Sequence, residues 1–150
     1  MEKKNILVSA CLLGTPCRYD GASKPNAKVI ALSEKYNLIP VCPEVAGGLP
    51  TPRTPSEIVG ERVLMRDGRD VTENYRRGAE IALKKARENS CDVAILKARS
   101  PSCGKGQVYD GTFSGTLTSG DGITAKLLSD AGITVLTEEN ICKLLTILLN

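Results

Sequence analysis

The chain has 150 residues, of which 41% are hydrophobic and 25% charged, a balance typical of a folded globular domain. Its net charge is only +3 and its aromatic residues are four tyrosines and one phenylalanine, so we expect no nucleic-acid partner. The sequence has no histidine, which excludes Ser-His and Cys-His catalytic pairs and histidine-ligated metals. Catalysis would therefore depend on Cys, Asp, Glu, Lys, Tyr or Ser, and the chain has six cysteines.

Short apolar runs alternate with amphipathic segments along the chain. In chain order this pattern predicts a strand at 5–9, a helix at 26–36, a strand at 38–42 and a loop at 43–55. A small hairpin is predicted around 62–72, with its turn at Asp67-Gly68, and a helix from about 70 to 88, with Asp70 and Glu73 at capping-box spacing. The remaining predicted elements are a strand at 92–97, a glycine-rich loop at 104–122, a helix at 123–131, a strand at 133–136 and a helix at 138–149. Strands that alternate with helices indicate an α/β fold, with a mainly parallel sheet flanked by helices. No repeat or linker divides the chain, so we expect one domain over residues 1–150.

The N-terminal segment differs from an export signal. Its apolar run, residues 6–8, has three residues, whereas the hydrophobic region of a signal peptide needs roughly 7–15. No other stretch approaches the length of a membrane span. We therefore expect a cytoplasmic protein with no membrane partner, in which thiols stay reduced and serve as ligands, nucleophiles or core residues.

Three cysteines lie at or after the ends of predicted strands: Cys11 follows the first strand, Cys42 ends the second and Cys103 follows the third. Because the carboxyl ends of parallel strands share one edge of the sheet, where ligands bind, these thiols are expected to converge. The alternative is that each is a small buried core residue, which is common for free cysteine. The same interpretation as packing residues is favoured for Cys91 and Cys142.

Three thiolates without an imidazole suit few metal sites. Structural zinc usually takes a fourth protein ligand and pairs cysteines at CxxC spacing, which this chain lacks. A 4Fe–4S cluster normally takes four cysteines; held by three, it keeps one iron open as a Lewis acid. Cys17, six residues after Cys11, is a possible fourth ligand.

Six segments of the chain form a specific pattern: VSACLLG at 8–14, RYDG at 18–21, CPEVAGGLPTPR at 42–53, LK at 96–97, SPSCG at 100–104 and YDGTFSG at 109–115. Taken in order, these segments resemble the bacterial thiouracil desulfurases. This resemblance implies a Rossmann-like α/β fold and an oxygen-sensitive 4Fe–4S cluster, bound through Cys11, Cys42 and Cys103 with one open iron. It leaves Cys17 outside the ligand set.

The resemblance also implies the reaction, which is removal of sulfur from a thionated nucleobase without redox change, through a cluster that carries an extra sulfide. The matching catalytic pair is Glu44 and Ser100. The chemistry agrees, since soft thiocarbonyl sulfur suits iron, and hydrolysis in a chain without histidine needs a carboxylate base. The expected substrate is a thiouracil or similar small thionated heterocycle.

Other roles for these residues remain open. Glu44 could be a solvated loop acid or an ion-pair partner of Arg53, and Ser100 could be a turn or helix cap. Arg53 could instead bind an anionic substrate group or brace Glu57. For the whole protein, the alternatives are a non-catalytic iron–sulfur or sulfide carrier and a structural zinc or thiol protein. Glu44 beside Cys42 favours the enzyme, because a carrier needs no general base; Asp20 and Asp110 are the next candidates for that base.

Overall fold

Four parallel strands form the central sheet of the computed structural model, which describes residues 3–141. They are β1 (Asn5–Ser9), β2 (Asn37–Val41), β5 (Val93–Leu96) and β8 (Thr134–Thr137), in the order β2-β1-β5-β8. Every neighbouring pair is parallel. The predicted strands are confirmed to within one residue at each end, and so is the α/β class with a mainly parallel sheet.

The central strands are buried on both faces, which explains their continuous apolar sequences. All four residues of β5 are buried, as are the last four of β1. Because successive side chains of a strand point to opposite faces, Leu7 packs in one hydrophobic cluster while Ile6 and Val8 pack in another. The sheet therefore has a core on each side.

Helices cover both of these cores. Helix α1 (Ala27–Ala31) packs through Val29 on one face; it is capped by the Asn26 side chain, which accepts the Val29 N–H at 3.1 Å. Helices α3 (Thr72–Glu88) and α4 (Ile123–Asp130) pack on the other face. The three helices predicted at 26–36, 70–88 and 123–131 are confirmed, although α1 ends early and continues only as a short 3-10 turn, Leu32–Glu34.

The start of α3 differs in detail from the prediction. The Asp70 carboxylate accepts the N–H of Thr72 at 2.9 Å, but Glu73 pairs with Arg76 and closes no capping box.

The prediction of a loop over 43–55 is wrong for the first four residues. Pro43–Ala46 forms a short helix, α2, directly after Cys42. Proline suits this position because the first N–H groups of a helix have no partner within it. Glu44 therefore lies in the first turn of this helix, close to the end of β2.

The predicted hairpin is displaced towards the N-terminus. Strands β3 (Ser56–Val59) and β4 (Arg62–Met65) pair antiparallel, so the chain reverses at residues 60–61. The turn at Asp67-Gly68 does form, but it adds only a single bridge between Leu64 and Asp70. A second antiparallel pair, β6 (Gln107–Tyr109) and β7 (Leu117–Ser119), lies within the predicted glycine-rich loop.

The end of the chain is described only in part. Residues 138–141 form a turn, and the remainder of the helix predicted at 138–149, with Cys142, lies outside the described residues. Among the helices described here, none has the length and apolar character needed to cross a membrane.

Helix α2 lies directly against α3 at two glycines. A Cβ on Gly78 would lie 1.9 Å from the Pro43 carbonyl oxygen, and one on Gly47 would lie 2.0 Å from the Asn74 carbonyl oxygen. Any side chain at either position would push the two helices apart. This contact holds the two neighbours of Pro43, Cys42 and Glu44, at the carboxyl edge of the sheet.

Candidate active site

A cavity of about 550 Å³ opens at the carboxyl ends of β1, β2 and β5. This is the topological switch point of the sheet, because the chain goes from β1 to β2 on one side and later returns to β5 on the other. The structure brings all the residues predicted for the site to its wall: Cys11, Cys42, Cys103, Glu44 and Ser100. All five therefore border one cavity, at the edge of the sheet where the strand ends lie.

A fourth cysteine borders the same cavity. Cys17 is buried, and its backbone carbonyl accepts a hydrogen bond from the Cys42 thiol at 3.7 Å. The hydrogen bond with Cys11, followed by burial, raises the pKa of Cys17. The hydrogen bond with Cys17 and burial raise the pKa of Cys42 well above the usual range. The Cys42 thiol is therefore protonated at neutral pH, so binding of a metal centre through its sulfur must release a proton.

The third strand-end cysteine has a different environment. Cys103 is buried, and burial raises the pKa of its thiol to about 12. Its sulfur accepts a hydrogen bond from the hydroxyl of Ser9 at 3.4 Å. The Ser9 oxygen in turn accepts the backbone N–H of Lys97 at 2.9 Å, which directs the hydroxyl proton towards the sulfur. Ser9 therefore provides a fixed donor to the sulfur of Cys103.

The donor set fits an iron–sulfur cluster. Cys11, Cys42 and Cys103 border one cavity, and cysteines offer the soft thiolates that bind iron–sulfur clusters.

Glu44 is held by two side chains. Its Oε2 accepts hydrogen bonds from Arg53 Nε at 3.2 Å, from Arg53 Nη2 at 3.1 Å and from the Tyr75 hydroxyl at 3.0 Å. The Arg53 and Glu44 side chains are only 3% and 16% exposed. Glu44 is therefore a mostly buried, fixed carboxylate beside Cys42, and the ion pair with Arg53 considered from the sequence is present.

Ser100 faces the other oxygen of Glu44. Its Oγ accepts the backbone N–H groups of Ser102 and Cys103, both at 3.1 Å, so it does cap the turn that leads to Cys103. The hydroxyl proton points towards Glu44 Oε1, with an oxygen–oxygen distance of 3.5 Å. Both roles considered from the sequence, the cap and the partner of Glu44, are thus compatible.

Sequence reasoning missed one residue of the site. This residue is Tyr75, an aromatic residue on the buried face of α3, and its polar hydroxyl was the available signal. The proposed contact between Arg53 and Glu57 is not observed: the Glu57 carboxylate accepts the N–H groups of Gly111 and Phe113, at 2.9 and 3.2 Å.

Asp20 and Asp110 are the next candidates for the general base after Glu44. Within the described chain, the residues that border the cavity do not include Asp20 or Asp110, both of which accept hydrogen bonds in local turns. Cys91 is part of the hydrophobic core between the sheet and α3.

Comparisons with known proteins agree with this site. The family model described as 2-thiouracil desulfurase matches residues 6–140, which include all five residues predicted for the site. An uncharacterized protein of Bacillus subtilis (strain 168), YbbK, is 42% identical over 146 residues, covering 91% of this chain and 97% of the relative. A solved structure of a 4Fe–4S-dependent thiouracil desulfidase, TudS, is 47% identical and has a TM-score of 0.92, covering 97% of this chain and 98% of the other.

Proposed function

Because the chain belongs to the 2-thiouracil desulfurase family, we propose that it is an iron–sulfur-dependent enzyme that hydrolyses a thiouracil to uracil and sulfide without net electron transfer. One observation carries this proposal: a fixed carboxylate, Glu44, and a fixed hydroxyl, Ser100, face each other beside the strand-end thiols in one cavity. The cavity, at about 550 Å³, lies within the range of about 300–1,000 Å³ typical of small-molecule sites. Because the site depends on reduced thiols, we place the enzyme in the cytoplasm.

The proposed ligands of the 4Fe–4S cluster are Cys11, Cys42 and Cys103. When bound through three thiolates, such a cluster supplies an open iron, a soft Lewis acid suited to the sulfur of a C=S bond. Cys17 stays outside this set, and its backbone instead braces the site, because its carbonyl accepts Arg53 Nη2 at 3.0 Å.

Ser100 acts as a hydrogen-bond donor. Its oxygen already accepts two backbone N–H groups, so little capacity is left to accept a proton from water. Its hydroxyl proton remains available and points into the cavity towards Glu44. We therefore assign Ser100 to orientation of the substrate, through a hydrogen bond to an oxygen or nitrogen of the thiouracil ring.

Glu44 acts as the general base. Its Oε1 takes a proton from the water that attacks the thiocarbonyl carbon, and it then returns this proton to the departing sulfur. In the balanced reaction, one water replaces sulfur by oxygen at that carbon and sulfide leaves with two protons. No electron acceptor or donor is consumed. A carboxylate is the suitable base here because the chain has no histidine.

The test is turnover of 2- and 4-thiouracil in ¹⁸O-water by anaerobically reconstituted protein, without reductant. We expect ¹⁸O in the uracil product and stoichiometric sulfide. A strict requirement for reducing equivalents would overturn the hydrolytic mechanism. Absence of turnover on any thionated base, with iron and labile sulfide at full content, would favour the sulfide-carrier alternative.

A further inference from the structure

The two oxygens of Glu44 have different environments. Oε2 accepts three hydrogen bonds, two from Arg53 and one from Tyr75, all between 3.0 and 3.2 Å. Within residues 3–141, Oε1 has a single long contact, 3.5 Å, with the Ser100 hydroxyl. A carboxylate oxygen with three donors has no lone pair left for another proton. Only Oε1 is therefore able to accept a proton from the cavity.

Arg53 is itself immobilised. Its Nη1 donates to the Pro50 carbonyl and to Thr51 Oγ1, both at 3.2 Å, and its Nη2 also donates to the Cys17 carbonyl at 3.0 Å. The guanidinium thus joins the loop after β1, its own loop and Glu44. It cannot follow Glu44 if the carboxylate rotates, so it acts as a fixed anchor.

Tyr75 donates the third hydrogen bond to Oε2 of Glu44. It is 1% exposed and lies on α3, one turn before the glycine at which α3 contacts α2. Burial, together with the negative charge of Glu44, raises the pKa of Tyr75. Its hydroxyl therefore stays protonated and remains a donor to the carboxylate.

We propose that Arg53 and Tyr75 are positioning residues that lock Oε2 of Glu44, so that Oε1 is the one oxygen able to exchange a proton with water and substrate. This inference rests on the proposed role of Glu44 as the base. Neither residue needs to touch the substrate, because both act through the carboxylate.

The experiment is a double-mutant cycle of Tyr75→Phe with Glu44→Gln. With iron content matched, Tyr75→Phe should lower kcat for thiouracil by roughly 10-fold, the weight of one hydrogen bond to a charged group, and leave KM nearly unchanged. In the Glu44→Gln background the same substitution should have little effect on kcat. Tyr36→Phe, which removes the hydroxyl of a half-buried tyrosine packed against the cluster that contains β1 and α1 residues, is the matched control and should keep wild-type kcat.

A second readout does not depend on turnover. In urea unfolding of the cluster-free protein, Tyr75→Phe should lower the midpoint, and should lower it less in the Glu44→Gln background, because the charged acceptor is gone.

Wild-type kcat in Tyr75→Phe, or equal losses of kcat in the wild-type and Glu44→Gln backgrounds, would overturn the proposed positioning role of Tyr75. Either result would leave the assignment of Glu44 as the base intact. Wild-type kcat in Glu44→Gln would overturn the base assignment and the lock together. Absence of turnover in the wild type would reject the proposed function alone. Urea unfolding of the Tyr75→Phe and Glu44→Gln variants would then decide whether Tyr75 and Glu44 interact as proposed.

Discussion

Replacement of Gly78 by alanine should loosen the packing that holds Glu44 over the cavity. The new Cβ would lie 1.9 Å from the Pro43 carbonyl oxygen and 2.7 Å from its carbon, so α2 must move by more than 1 Å before the closest contact reaches 3.0 Å. The obstruction is backbone, which cannot rotate away as a flexible side chain would. Because Pro43 lies between Cys42 and Glu44, the displacement is transmitted to both.

Two opposing effects determine how much Gly78→Ala changes the free energy of unfolding. Alanine is favoured over glycine inside a helix by up to about 1 kcal/mol. Overpacking of a well-packed contact costs about 1–3 kcal/mol or more, and a backbone clash lies at the upper end of that range. We therefore expect the free energy of unfolding to fall by about 2 kcal/mol. A misplacement of about 1 Å in a catalytic group costs roughly 100-fold in rate, and we expect a loss of that order in turnover.

The assay combines urea unfolding of the cluster-free protein with turnover of thiouracil at matched iron content. Glu80→Ala, at an exposed position two residues further along α3, is the control for a new alanine in the same helix. It should change the unfolding free energy by less than about 0.5 kcal/mol. A Gly78→Ala protein with wild-type stability and turnover would refute the role assigned to this contact.

Three further predictions concern the cavity itself. Serine substitution of each proposed cluster ligand should abolish iron and labile sulfide binding, whereas Cys91→Ser should retain both; the ligand positions are Cys11, Cys42 and Cys103. Cys17→Ser should also retain the cluster, and loss of iron in that variant would mean four protein ligands. Glu44→Gln and Ser100→Ala should keep the cluster spectrum and lower turnover by about 10²–10⁴-fold; near-normal rates in either would remove that residue from the catalytic pair. Ser9→Ala removes the hydroxyl that donates to the sulfur of Cys103, a proposed cluster ligand, so the reduction potential of the cluster should become more negative in an EPR-monitored titration, and an unchanged potential would contradict the contact.

The sequence by itself determined the fold class and the edge of the sheet that carries the proposed site. Buried parallel strands need continuous apolar residues, so runs such as NILVS at 5–9 and VAIL at 93–96 are visible without tertiary information. Since parallel strands share one carboxyl edge, the positions of Cys11 and Cys42 at or just after the ends of two predicted strands already predicted that both would lie at this edge. These features follow from local pattern and from a general rule of sheet topology.

Only the tertiary structure decided which groups act on Glu44 and how the surrounding segments pair. Tyr75 is 31 residues away along the chain and reaches the carboxylate because α3 packs against α2 at Gly78. Likewise, the Asp67-Gly68 turn formed as local rules predict, but β4 paired with β3, because strand pairing depends on which partner is brought near. Contacts between distant elements depend on the packing of backbones and on the position of each side chain relative to its neighbours. The pattern of a single segment therefore cannot determine them.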